Sequence, residues 1–131
     1  DNENVGALNT LGLLYVEQDN LSMAKFIFRD KALKLDEDNA DLHNNLALVY
    51  ANLGRQAEAA AAYDAVLTIA RQAGDVQSEG RALGNLGYVY AESGDRERAR
   101  TYWLRALNKL QPESTEYQQV RDWLREEPSE S

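Results

Sequence analysis

Residues 83–103 read LGNLGYVYAESGDRERARTYW, and the spacing of their apolar positions decides the fold. Leu83, Leu86 and Tyr90 stand at i, i+3 and i+7, which on a helix of 3.6 residues per turn makes a single stripe. Ala99 and Trp103, four apart, carry a second stripe. Between the two lies Gly94-Asp95. Glycine tolerates the left-handed backbone that ends a helix, and aspartate accepts hydrogen bonds from the free N–H groups that begin one. The stretch is therefore predicted as two helices joined by a tight turn, an α-hairpin.

The same landmarks occur twice upstream. Leu8, Leu11, Gly12 and Tyr15 precede Ala24 and Phe28; His43, Leu46, Ala47 and Tyr50 precede Ala59 and Tyr63. A glycine inside a helix costs about 1 kcal/mol relative to alanine, so Gly12 and Gly87 need a physical reason. Close approach of the partner helix near Ala24 and Ala99 supplies it, with Ala47 placed likewise opposite Ala59. Gly54 ends a helix as Gly94 does, while the first copy has Asp19-Asn20 there, of which asparagine can adopt the same backbone. The copies are not evenly spaced: Gly12 to Ala47 is 35 residues and Ala47 to Gly87 is 40. The first interval exceeds the usual period of about 34 by one residue. That extra residue falls between Ala24 and Lys31-Ala32-Leu33, where a local distortion or longer turn is expected. The second interval is lengthened by a helix whose apolar spacing continues through Ile69, Ala70 and Ala73 to Gly74.

Six landmarks in three registers resemble the tetratricopeptide repeat, over roughly residues 5–111. The resemblance implies an all-α fold, a right-handed α-α superhelix or solenoid of three helix-turn-helix repeats. They are placed at about 5–38, 39–74 and 75–111 of a single domain spanning 1–131. After Pro112, the segment 113–126 reads as a capping helix with Tyr117, Val120 and Leu124 on one face, and 127–131 as a polar tail. No matching cap precedes Val5, which leads to the expectation of further repeats or another domain upstream.

In the family that the chain resembles, the first helix of each hairpin lines a concave groove. Two residues before the small landmark stand Asn45 and Asn85, with Thr10 in the first copy and Asn9 beside it. One residue after it come Leu13, Leu48 and Tyr88; further along are Glu17, Asn52 and Glu92, and near the helix starts Asp41 and Arg81. Asparagine carries a donor and an acceptor, so a row of them can pair with the amides of an extended peptide without reading its sequence. Solvation, or bonding to a neighbouring loop, is the plainer use of the same residues. Tyr88 is a spare aromatic, since Tyr90 already serves the core: it is either an anchor for a ligand or packing against a neighbouring helix. Arg81 either receives a ligand carboxylate or pairs with Asp41 or Glu79. Relatives that hold chaperone C-terminal tails use a clamp of lysine, arginine and asparagines. Here Asn9 and Leu13 stand where the lysine and first asparagine belong, and Asn85 replaces an arginine. Only Asn45 and Arg81 fit, so a chaperone tail is not the expected ligand.

Composition narrows the function classes. A net charge of -8 repels nucleic-acid phosphates and anionic lipid surfaces. The imbalance is greatest through Ala65, with eleven acidic against five basic residues; from Val66 it is eleven against nine. Without cysteine there is no disulfide, thiolate site or thiol nucleophile, and both cytoplasm and periplasm stay open as compartments. No apolar run reaches the roughly 20 residues of a membrane span. His43 is the only histidine and occupies a packing landmark, which leaves no nucleophile–base pair and no transition-metal cluster. Asp36-Glu37-Asp38 lacks the later ligands of a calcium loop, with Ala40 and Ala47 where oxygens are needed, and reads instead as a solvated turn in which Asp38 or Asn39 caps the next helix. The expectation is a module that binds a peptide segment of a partner protein, without cofactor, metal or enzymatic activity. Self-association, docking onto further repeats, or regulation of an enzyme elsewhere in the parent chain are the alternatives.

Overall fold

The computed structural model describes residues 2–126, with side chains from Asn4 onward; Asp1 and the polar tail at 127–131 lie outside the described residues. The described residues form helices and turns. They are α1 (Asn2–Glu17), α2 (Leu21–Lys25), a π-helical segment (Phe26–Ala32), α3 (Leu33–Leu35), α4 (Ala40–Asn52), α5 (Gln56–Ala73), α6 (Val76–Glu92), α7 (Arg96–Lys109) and α8 (Thr115–Glu126). Because α2, the π segment and α3 run on without a break, seven helical rods result, packed in sequential antiparallel pairs. Contacts divide the chain into two compact units, Asp1–Val66 and Leu67–Ser131.

In the first unit α1 packs against α2 and the π segment, and α4 packs against the same two elements. Gly12 explains the approach: a Cβ there would stand 2.5 Å from the buried ring of Phe28. The intruding side chain is thus Phe28, one turn beyond the expected Ala24. The turn before α2 also differs from expectation. Asp19 takes the left-handed backbone with φ of 59°, while Asn20 caps α2 by accepting from the N–H of Met23 at 3.3 Å. Two neighbouring polar residues share the work because the side chain that caps must itself sit in a non-helical, negative-φ conformation. The extra residue of the first interval is absorbed where the sequence placed it. The Leu33 N–H donates to the Phe28 carbonyl, five residues back, the wide turn that defines a π segment.

Gly54 and Gly94 have φ of 77° and 86°, as their turns require. Asn39 caps α4 by accepting from the Leu42 N–H at 3.2 Å, and Asp95 caps α7 through Arg98. The long α5 runs to Ala73 and stops at Gly74, whose φ is 71°.

In the second unit α6 and α7 form the main pair and α8 packs against both. A Cβ at Gly87 would collide with the indole of Trp103, one turn beyond the expected Ala99. That indole is fully buried, and its N–H donates to the Gly84 carbonyl at 3.1 Å, so the one polar atom of the ring is satisfied. Among the described residues of this unit Glu79 is charged and yet buried. It is held by Arg71 at 3.2 Å and Lys109 at 3.5 Å, which ties the ends of α5 and α7 to the start of α6.

The capping helix α8 forms; of its expected face Val120 is buried and Tyr117 and Leu124 are half-buried, and Trp123, half-buried as well, adds a ring beside them. A Cβ at Gly84 would come within 3.0 Å of Val120, and the Trp123 ring lies 5.8 Å from that of Trp103. Residues at i and i+3 share a face as fully as those at i and i+4, so Trp123 lies on the side of α8 that Val120 buries.

Candidate functional site

The first helix of each hairpin was expected to carry the binding face, and within each unit the structure can be read residue by residue. In the first unit, Asn9 on α1 and Asn45 on α4 meet directly: the Asn45 Nδ2 donates to the Asn9 Oδ1 at 2.7 Å. Thr10, the formal equivalent of Asn45, instead donates its hydroxyl to the Gly6 carbonyl at 3.1 Å. A hydroxyl four residues past a helical carbonyl readily bonds back to it, whereas the longer amide reaches across to the next helix. The pair leaves the Asn9 amide N–H and the Asn45 carbonyl oxygen outside this bond, a donor and an acceptor side by side. Leu13 and Leu48 are large apolar residues exposed on the same helices. Asp41 and Asn52 are exposed near the two ends of α4.

His43, counted as a packing landmark, is half-buried and bonds through Nε2 to the Glu37 carbonyl at 2.8 Å, closing the acidic turn from above. Asp36 accepts from the Asn39 amide at 3.1 Å in that turn.

In the second unit, Arg81 and Asn85 on α6 line a cleft of about 270 Å³ whose opposite wall is α8, with Glu116, Gln119 and Trp123. Arg81 donates to the Ser78 hydroxyl at 2.8 Å and lies 3.7 Å from the Glu116 carboxylate. Its partner is therefore Glu116 of the cap, while Glu79, one of the two expected partners, is held by Arg71 and Lys109. The Glu116 carboxyl sits below the usual range, chiefly through its own backbone N–H and the Thr115 hydroxyl, with Arg81 adding attraction. Both partners are substantially exposed, so the pair is worth roughly 0–1 kcal/mol and opens easily to a competing charge.

Tyr88 is exposed, yet its ring lies 5.2 Å from Trp123. A hydrogen bond to Glu92, with the charge of that carboxylate, pushes its phenol above the usual value. Two candidate residues thus act together: Glu92 orients the hydroxyl and Trp123 supports one part of the ring. Tyr88, Glu92, Trp103 and Trp123 also border a second hollow. Trp123 is the residue that sequence reasoning missed, although its position three past Val120 marked it as inward-facing.

Among the described residues no cluster of three His, Asp or Glu could hold a metal ion, and no helix is long and apolar enough to cross a membrane.

Two family models, each described as the tetratricopeptide repeat, match residues 5–39 and 38–111. No curated protein matches the chain in sequence. Among solved structures, the N-terminal domain of stress-induced protein-1 (STI-1) from C. elegans matches with a TM-score of 0.77 at 24% identity, over 92% of this chain and 94% of that one. The first TPR of Spaghetti (RPAP3), bound to the HSP90 peptide SRMEEVD, matches with a TM-score of 0.77 at 23% identity, over 95% of this chain and 90% of that one. The Yersinia enterocolitica type III secretion translocator chaperone SycD reaches a TM-score of 0.81 at 16% identity, again over 95% and 90%. Likeness at these identities is likeness of fold.

Proposed function

The chain belongs to the tetratricopeptide repeat family, and from that premise we propose that it is an adaptor or scaffold module that binds a peptide segment of a partner protein along the first helices of its hairpins. One observation carries the reading. The residue directly after the small landmark is large, apolar and exposed in all three copies, as Leu13, Leu48 and Tyr88, while the very next residues in α4 and α6, Val49 and Val89, are buried. Isolated exposed leucines mean little, but the same exposed position kept in three registers is a pattern that a partner's apolar side chains would use.

Polar groups beside these anchors suit a peptide backbone. The Asn9–Asn45 pair offers one donor and one acceptor, and Asn85 stands at the cleft that Arg81 also lines. The chain lacks most of a carboxylate clamp: Asn9 and Leu13 stand where a lysine and an asparagine belong, and Asn85 replaces an arginine. The favoured ligand is consequently an internal segment rather than a chain terminus. Three repeats offer limited area, so micromolar affinity, about -8 kcal/mol, is expected.

An interaction screen, followed by affinity measurements on Tyr88→Ala and Asn85→Ala, tests the assignment. Each variant should weaken the recovered partner several-fold, and amidating the peptide's C-terminus should change nothing. If both variants bind as the unmodified protein does, the site lies elsewhere.

A further inference from the structure

Helix α7 reverses the charge of the chain. It carries Arg96, Arg98, Arg100, Arg105 and Lys109 against the single acid Glu97, whereas α5, its counterpart in the second copy, has Glu58 and Asp64 against Arg71. Two of these arginines belong to an aromatic cluster. The rings of Tyr90 on α6 and Tyr102 on α7 stack at 5.4 Å and 10°. The Arg98 guanidinium carbon lies 4.9 Å from the centre of the first ring, and that of Arg105 lies 5.2 Å from the centre of the second.

The hairpin does not need this arrangement. Counted from Ala99 and Ala59, Arg98, Tyr102 and Arg105 stand where the second copy has Glu58, Ala62 and Ala65, and that copy forms the same pair of helices. Of the four, Tyr90 alone is a landmark of the repeat. Stacking occupies the flat face of a guanidinium and leaves its N–H edge outside. An edge already fixed in orientation loses little freedom when a carboxylate accepts two N–H bonds from it. Arg98 is more than half exposed, and its ion pair with Asp95 is 3.6 Å long, beyond a hydrogen bond. Arg105 is exposed, and among the described residues no carboxylate pairs with it.

We propose that Arg98 and Arg105 form a second binding site, for an acidic extended segment of a partner protein, separate from the first-helix face. The helix advances about 10.5 Å between these two residues. A segment in the polyproline conformation brings every third side chain to the same side, about 9 Å apart, so carboxylates three residues apart reach one arginine each. A nucleic acid fits worse. Its closely spaced phosphates would also meet Asp95, Glu97 and the field of a chain of net charge -8, whereas isolated carboxylates meet the guanidiniums alone.

The probe is the peptide EPPEPPE, acetylated and amidated, titrated into the isotope-labelled full chain while backbone amide and arginine Nε–Hε shifts are followed. Expected is saturable binding centred on Arg98 and Arg105 that weakens several-fold as salt rises from about 0.01 to about 0.15 M. Arg98→Gln/Arg105→Gln should lose it. Arg98→Lys/Arg105→Lys keeps the charge but not the planar fork, and should weaken it about fivefold or more. Arg121→Gln/Arg125→Gln removes the same charge from exposed positions of α8 and should leave the affinity unchanged. Circular dichroism melts establish that each variant folds, and Arg105→Gln alone replaces the double glutamine variant if it does not. Absence of saturable binding overturns the proposal. So do equal losses in the α7 and α8 glutamine variants, which would reduce the effect to net charge. Loss of binding in Tyr88→Ala, with shifts at Asn85 and Tyr88, would move the segment to the first-helix face and overturn it too. Tighter binding of a mixed-sequence DNA duplex, lost in Arg98→Gln/Arg105→Gln, would make the occupant a nucleic acid and equally overturn it.

Discussion

Gly87 gives up about 1 kcal/mol of helix propensity and in return lets the Trp103 indole lie against α6. Gly87→Ala is therefore expected to lower stability by roughly 1–3 kcal/mol, because the new Cβ displaces a buried ring; chemical denaturation measures this, and a more stable variant would contradict the packing. Trp103→Ala removes the ring itself and should cost about 3–5 kcal/mol. Tyr63 gives a pH test: burial pushes its phenol from the usual 10 up to about 12. With the folded value above the unfolded one, the contribution of Tyr63 to stability is complete below pH 10 and is lost as pH rises toward 12. Melting temperature and phenolate absorbance followed together across that range should show Tyr63 ionising late, with unfolding. At this scale the glycines and Trp103 were legible in sequence because a costly residue in a helix demands a cause. The partner of each glycine was displaced by one turn, to Phe28 and Trp103, because a long side chain reaches back toward the preceding turn of its own helix and fills the space there.

The second helix is where element length and sequence disagree, and a π turn reconciles them. An irregular interval of 35 residues located that distortion, but spacing alone could not distinguish a wide turn from a longer loop. Deleting Asp30 removes the inserted residue and is expected to restore an uninterrupted α-helix with little loss of helical circular dichroism. Deleting Ala61 from the regular α5 rotates every later side chain by about 100° and should unfold its hairpin. Equal effects of the two deletions would contradict the view that the π turn only accommodates an extra residue. The cap α8 was legible as an amphipathic helix, whereas its inward ring was not. Apolar periodicity identifies a stripe, but which of its neighbours meets the rings of Tyr88 and Trp103 depends on how α8 lies against α6 and α7. Trp123→Ala should cost about 1–3 kcal/mol, from two ring contacts at about 0.5–1.5 kcal/mol each. It should also leave Tyr88 without its support, which near-ultraviolet circular dichroism would register.

For the whole chain, landmarks spread over more than a hundred residues made the family legible, since each copy of the repeat is an independent witness to the same hairpin. The site was legible only as positions. Sequence register named Leu13, Leu48 and Tyr88 as one set, and their shared exposure supports that reading. The bond between Asn9 and Asn45, and the pairing of Arg81 with Glu116, depend on which helices meet, and no spacing within one helix encodes that. A net charge of -8 further implies that partners with basic flanks associate faster at low salt; association rates should fall as ionic strength rises, with dissociation changing less. The most direct test of the peptide-binding proposal is a map of backbone amide chemical shifts as the recovered partner peptide is titrated into the labelled chain. The largest perturbations are expected at Leu13, Asn45, Leu48, Asn85 and Tyr88, on the first helices. Perturbations confined to the second helices α5 and α7, with those five residues unmoved, would contradict it.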